Sequence, residues 1–150
     1  MFFYFIPIFI IFFDQLTKWM ILDDMPVPFE VTPFFNIVLA MNKGVSFSLF
    51  ASDTAWMPWV LTGIGGLITT LIAYWFFKEK KEIIKLALAL ILGGAVGNII
   101  DRVRFGAVVD FLDFHAFGYH WPAFNIADMM ICFGVFIIVI EAIFSREKEE

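Results

Sequence analysis

Four windows of about twenty mainly apolar residues lie along the chain, at 2–22, 56–77, 83–100 and 126–144. A run of that length crosses the roughly 30 Å hydrocarbon layer of a bilayer as a helix, because a helix satisfies its own backbone hydrogen bonds there. A 150-residue chain that spends four such windows keeps little beyond their connections. Composition agrees: 61% of the residues are hydrophobic, 21 are Phe, and mean hydropathy is +0.88. That apolar share exceeds what a soluble core can bury. The sequence predicts one all-α membrane domain over residues 1–150 with four transmembrane helices. The first window lacks a basic n-region and a small-residue cleavage site, and it carries Asp14 and Lys18. It reads as a retained span rather than a removed signal peptide.

Orientation follows from the basic residues. Lys78, Lys80, Lys81 and Lys85 cluster between the second and third windows, and Arg146 and Lys148 lie in the tail. Residues 23–55 hold only Lys43, and residues 101–125 only Arg102 and Arg104. By the positive-inside rule both termini are cytoplasmic and the two longer connections face out. The first outer connection opens with Pro26, Pro28 and Pro33, then becomes strand-like over 34–40 and turns near Gly44. It predicts a small extracytoplasmic β-sheet element in that loop. Trp56, Trp59, Trp75 and Trp121 fall near predicted interfaces, where aromatic belts form. A net charge of −5 spread over loops and tail suggests no nucleic-acid partner. The lone Cys132, in an apolar run, reads as a small buried hydrophobe.

Carboxylates set in hydrocarbon are the functional signal. From Lys85, at the inner end of the third window, the helix rises about 24 Å to Asp101 at 1.5 Å per residue. Asp101 therefore reaches the outer boundary, Asp128 lies in the first turn of the returning fourth window, and Asp110 sits between them. Asp14 and Lys18, spaced i, i+4, read as an ion pair within one helix. Gly93, Gly94, Gly97 and Asn98 read as the end of the third helix, with Asp101 either paired to the adjacent Arg102 or catalytic. Asn125 reads as the N-cap that precedes Asp128. Asp110 has apolar neighbours on both sides and no basic residue beside it. Two nearby acids can share one proton and activate water, and Asp110 with Asp128 is the preferred pair over Asp101 with Asp128. His115, His120 and Asp113 have no metalloprotease spacing, and Ser46 or Ser48 with Lys43 looks like a turn. A small ion-coupled transporter would spread polar groups through the membrane depth. The second window has no charge and the third has none between Lys85 and Asp101, which favours an enzyme at one interface. A non-catalytic assembly factor is the third reading.

Five motifs add a resemblance: Asp14-Gln-Leu-Thr-Lys18, Asn42-Lys-Gly-Val-Ser-Phe47, Gly93-Gly-Ala-Val-Gly-Asn-Ile-Ile-Asp-Arg102, Val108-Val-Asp-Phe111 and Phe124-Asn-Ile-Ala-Asp128. In order and spacing they resemble the lipoprotein signal peptidases, or signal peptidase II, the membrane aspartyl endopeptidases of lipoprotein maturation. The resemblance implies a multi-pass enzyme of the bacterial cytoplasmic (inner) membrane with its site at the outer leaflet. It implies removal of the signal peptide from diacylglyceryl-modified prolipoproteins, immediately before the lipid-modified cysteine. Asp110 and Asp128 would be the catalytic dyad. Asp14, Lys18, Asn42, Gly44, Asn98, Asp101, Arg102 and Asn125 would support it or position substrate. No metal or cofactor is implied, membrane lipids would be partners, and cyclic peptides such as globomycin would inhibit. One motif departs: the family's Asn-Thr-Gly-Ala-Ala carries Lys43, Val45 and Ser46 here.

Overall fold

The computed structural model describes residues 2–23, 25–44 and 56–146. One turn of 3-10 helix, Phe2–Tyr4, leads into α1, Ile6–Asp23; α2 spans Met57–Lys78, α3 Glu82–Phe105 and α4 Ile126–Arg146. All four helices are long and apolar enough to cross a membrane. Helix α3 is the hub, packing against α1, α2 and α4, while α2 makes its substantial contact with α3 alone. Ala87, Leu88 and Ala89 of α3 are fully buried. Near the α2–α3 turn, Phe76, Ile84, Leu88 and Leu92 form a core that Ile138 of α4 joins. Away from that core α2 and α4 flank α3 as the two sides of a cleft. The outward faces carry Phe9, Phe12, Leu67, Leu71 and Val139, all exposed, as lipid-facing surface allows.

The glycine-rich stretch does not end α3. Gly93, Gly94 and Gly97 lie inside the helix, which runs on to Phe105 and stops at Gly106, whose φ of 68° is the left-handed cap conformation. The glycines are contact points instead. A Cβ at Gly93 would sit 2.7 Å from Ile10 Cβ of α1, and one at Gly97 would sit 2.6 Å from Asp14 Oδ2. At Gly94 a Cβ would overlap the Ala127 carbonyl oxygen of α4. Small residues let membrane helices approach this closely.

The sheet is larger than the sequence predicts. Strands β1, Phe29–Thr32, and β2, Phe35–Asn42, come from the first connection; β3, Val108–Ala116, and β4, Tyr119–His120, come from the second. They form an antiparallel sheet in the order β1-β2-β3-β4. The fold is thus mostly helical rather than all-α, with a four-stranded sheet built from both connections. Residues 108–111 form an unbroken buried run because this stretch of β3 is covered on both faces. Ala40 pairs with Asp110 and Asn42 with Val108, which brings the ends of two distant motifs together.

One further expectation is corrected. Cys132 is exposed, on the face of α4 that lines the cleft; an apolar run in a membrane helix has no single inside.

Candidate active site

Two layers of polar side chains occupy the cleft end of α3. The deeper layer is an ion cage. Lys18 Nζ lies 2.8 Å from Asp14 Oδ2 and 2.8 Å from Asp101 Oδ2, with the lysine side chain 2% exposed. Its third contact is Asn98 Oδ1 at 3.2 Å. The helix-internal pair anticipated for Asp14 and Lys18 is present, and it reaches across to α3. Asp101 takes Lys18 as its partner, not the adjacent Arg102, because consecutive residues on a helix point away from each other. Asp101 also accepts from Gln15 Nε2 at 2.9 Å and from the Val109 backbone at 3.1 Å, which ties α3 to the start of β3. Asp14 Oδ1 accepts from Ala127 N at 2.9 Å and so occupies the positive end of α4. Arg102 turns toward the first outer loop and donates to the Gly44 carbonyl at 3.2 Å.

The upper layer joins the remaining residues. Asn125 Nδ2 donates to Asp110 Oδ1 at 2.7 Å, while Asn125 Oδ1 caps α4 by accepting from Asp128 N at 2.9 Å. Asn42 Nδ2 donates to Asp110 Oδ2 at 3.0 Å, and Asn98 Nδ2 to Asp128 Oδ1 at 2.8 Å. The N-cap role read for Asn125 is present together with this bridge. All ten singled-out residues are therefore linked: Asp14, Lys18, Asn98, Asp101 and Arg102 from the spans, Asn42, Gly44 and Asp110 from the sheet and its edge, and Asn125 and Asp128 from the start of α4. Sequence reasoning missed Gln15, which donates to both Asp101 and the Gly97 carbonyl; its place beside Asp14 in the first motif was the available signal.

Asp110 and Asp128 both line a cavity of about 1060 Å³ between α2, α3, α4 and the sheet. Its polar end holds Asn42, Asn98 and Arg102 with the two acids; below them the wall is Ile68, Ile72, Ile91, Ile131 and Phe136, among others. Burial, and secondarily the Asp128 charge, push the Asp110 carboxyl up to about 7, against the hydrogen bonds from Asn42 and Asn125 and the attraction of Lys18. A carboxyl poised there can exchange a proton near neutral pH.

The remaining candidates lie elsewhere. His120 Nδ1 is 2.9 Å from both Asp113 oxygens and its ring stacks on His115, on the far part of β3 beside β4. Lys43 is exposed, and Val45, Ser46 and Ser48 lie outside the described residues.

A family model described as "Signal peptidase (SPase) II" matches residues 6–144. The lipoprotein signal peptidase of Ralstonia nicotianae is 48% identical over 132 residues, covering 85% of this chain and 76% of that protein. That of Polynucleobacter necessarius subsp. necessarius is 44% identical over 137 residues, covering 89% and 84%. A solved structure described as a bacterial membrane enzyme, at 2.3 Å resolution, superposes with a TM-score of 0.87 at 34% identity over 99% of this chain and 91% of its own. A second, at 1.9 Å, gives 0.76 at 37% identity over 93% and 91%.

Proposed function

The chain belongs to the signal peptidase II family, and on that premise we propose that it removes signal peptides from diacylglyceryl-modified prolipoproteins as a membrane aspartyl endopeptidase. One observation carries the aspartyl reading: Asp110 and Asp128, from a strand and a helix, open onto one largely apolar cavity and are joined through the Asn125 side chain. One carboxylate takes a proton from water as the water attacks the scissile carbonyl. The other, protonated, polarises that carbonyl.

The cavity suits a substrate that arrives within the bilayer. Its apolar lower wall would receive acyl chains or the apolar signal segment, and its polar end would hold the peptide at the modified cysteine. In this reading the chain acts as one domain of the bacterial cytoplasmic membrane, with both termini cytoplasmic and the sheet and dyad at the outer leaflet. Lipids flank the cleft, and a cyclic peptide such as globomycin would compete for the polar end. Gly44 and Arg102 shape the entrance, while Asp14, Lys18, Asn98, Asp101 and Asn125 hold the acids in place.

The test is cleavage of a diacylglyceryl-modified prolipoprotein by the protein reconstituted in liposomes. Asp110→Asn and Asp128→Asn are each expected to fold and to lose at least about 100-fold in rate. Wild-type cleavage by either variant would remove the dyad. An inactive but folded Asp101→Asn beside an active Asp110→Asn would move it to Asp101 and Asp128.

A further inference from the structure

A second, smaller cavity lies at the end of the sheet away from Asp110. It is a groove of about 420 Å³ walled by Phe34, Phe114, Tyr119, His120 and Trp121, among others. Phe34 belongs to the β1–β2 turn, and the other four to β3, β4 and the residue that follows β4. The register explains why the two hairpins meet here: Phe35 pairs with Phe114, and His115 N donates to the Phe34 carbonyl at 3.0 Å.

The groove continues from the large cavity. Trp121 lines both, and Phe124 of the large cavity stacks on Phe114 of the groove with 5.9 Å between ring centroids. Side chains two apart on a strand share a face, so Asp110, Leu112 and Phe114 lie on one side of β3. From Asp110 to Phe114 the strand covers about 13 Å at roughly 3.3 Å per residue, a span that about four residues of extended polypeptide match. Among the described residues no Lys, Arg, Asp or Glu lines the groove. Its polar point is His120, whose exposed ring sets Nδ1 at 2.9 Å from both Asp113 oxygens. That contact assigns a hydrogen to Nδ1 and leaves Nε2 of the neutral ring as an acceptor.

We propose that this groove binds the substrate polypeptide downstream of the cleavage point, in extended form, around the fourth residue beyond the scissile bond. The inference rests on the peptidase reading and adds a subsite to it. A chain cut at the acids continues on both sides of the cut. On one side the apolar wall below Asp110 and Asp128 receives it. On the other it must leave the acids without entering that wall, and the face of β3 that carries Asp110 leads directly to the groove. Ring faces hold small or apolar side chains, His120 Nε2 accepts from a backbone N–H, and the uncharged lining selects uncharged residues. Phe34, Tyr119 and His120 are thereby specificity-determining residues that touch the substrate away from the reacting atoms.

Two diacylglyceryl-modified peptides with the same signal segment supply the test, with the full-length protein in liposomes. One is amidated at the cysteine and the other carries six further uncharged residues. Wild type is expected to cleave the longer peptide at least about 5-fold more efficiently by kcat/KM, the worth of one or two aromatic contacts. With intermediate lengths, the gain is expected to arrive near the fourth added residue. In Phe34→Ser combined with Tyr119→Ser, both positions being exposed, the long-to-short ratio should fall toward one, through KM rather than kcat. Phe117→Ser is the control: Phe117 is fully exposed at the hairpin tip but outside the groove lining, and its ratio should match wild type. A wild-type ratio of one, or a gain complete with the first added residue, overturns the proposal. So does a double variant that slows both peptides equally, which assigns the aromatic residues to lipid contact. A ratio that varies with protein density assigns them to a second copy of the chain and also overturns it. If the double variant does not accumulate, the length series decides alone, because it needs only wild type. Failure of wild type to cleave either peptide sinks the peptidase reading instead.

Discussion

Replacing Gly94 by Ala isolates the link between helix packing and the site. Ala favours a helix interior by about 0.5–1 kcal/mol over Gly, so on a free helix face the change stabilises. Gly66 supplies that control, since a Cβ there meets nothing within 4 Å. At Gly94 the new methyl would overlap the Ala127 carbonyl and lie 2.8 Å from Ile131 Cγ1. Restoring an ordinary carbon contact of about 3.5–4 Å requires α4 to withdraw by roughly 1 Å. Overpacking of this kind costs about 1–3 kcal/mol, which leaves a net loss of about 1–2 kcal/mol after the propensity gain. Thermal unfolding in detergent would read it as a fall of roughly 2–8 °C for a chain of this size. The shift also carries Asp128, the next residue on α4, away from Asp110 on the sheet. A displacement of that size can cost about 100-fold in rate. Cleavage assays on the reconstituted proteins should therefore find Gly94→Ala slow and Gly66→Ala near wild type. Equal stability and equal rates for the two would refute the claim that the α3–α4 approach sets the position of Asp128.

Three further outcomes are expected. Lys18→Met leaves two buried carboxylates without their shared cation and should cost about 3–5 kcal/mol in thermal unfolding, with Asp14→Asn in that background recovering part. Asp110 prefers its neutral form in the folded protein, its pKa raised from 3.8 to about 7. The associated stability is complete below 3.8 and is lost as pH rises through about 7. Asp110→Asn is neutral throughout, so its melting temperature should gain on wild type across that window, as pH-resolved unfolding curves would record. Gly106 has φ 68° and open space where a Cβ would stand, so Gly106→Val should cost about 1–2 kcal/mol from backbone strain alone, and Gly106→Asn less.

The spans were legible because their signal is additive: twenty apolar residues in a row admit few structures. Helical rise likewise set Asp101 and Asp128 toward one end of the bundle, and Lys18 and Asn98 join them there. Glycine was misread because its meaning depends on solvent. In water a Gly-Gly pair weakens a helix, but in a membrane helix it opens a contact face, and nothing local at Gly93–Gly97 distinguishes the two. Strand β3 escaped because Val108–Phe111 is buried on both faces and lacks the alternation that marks a half-exposed strand. The Lys18–Asp101 pair joins residues of two different helices and has no local trace. The motif resemblance named both residues as supports without saying what each touches.

Charge counting explains why so many acids can share one end of the bundle. Lys18 and Arg102 bring two positive charges, and Asp14 and Asp101, tied to Lys18 and Ala127 N, bring two negative ones. These supports balance among themselves and leave no surplus cation for a doubly ionised Asp110–Asp128 pair. Beside an apolar wall, the second negative charge is the costly one, so the pair keeps a proton. The cage thus does two jobs, locking the helices and setting the net charge against which the proposed dyad titrates. Neutralising Asp101 as Asn leaves one extra positive charge near the pair and should lower the alkaline limb of kcat/KM. A limb that stays in place in a folded, active Asp101→Asn would show that the net charge of the cage does not set it.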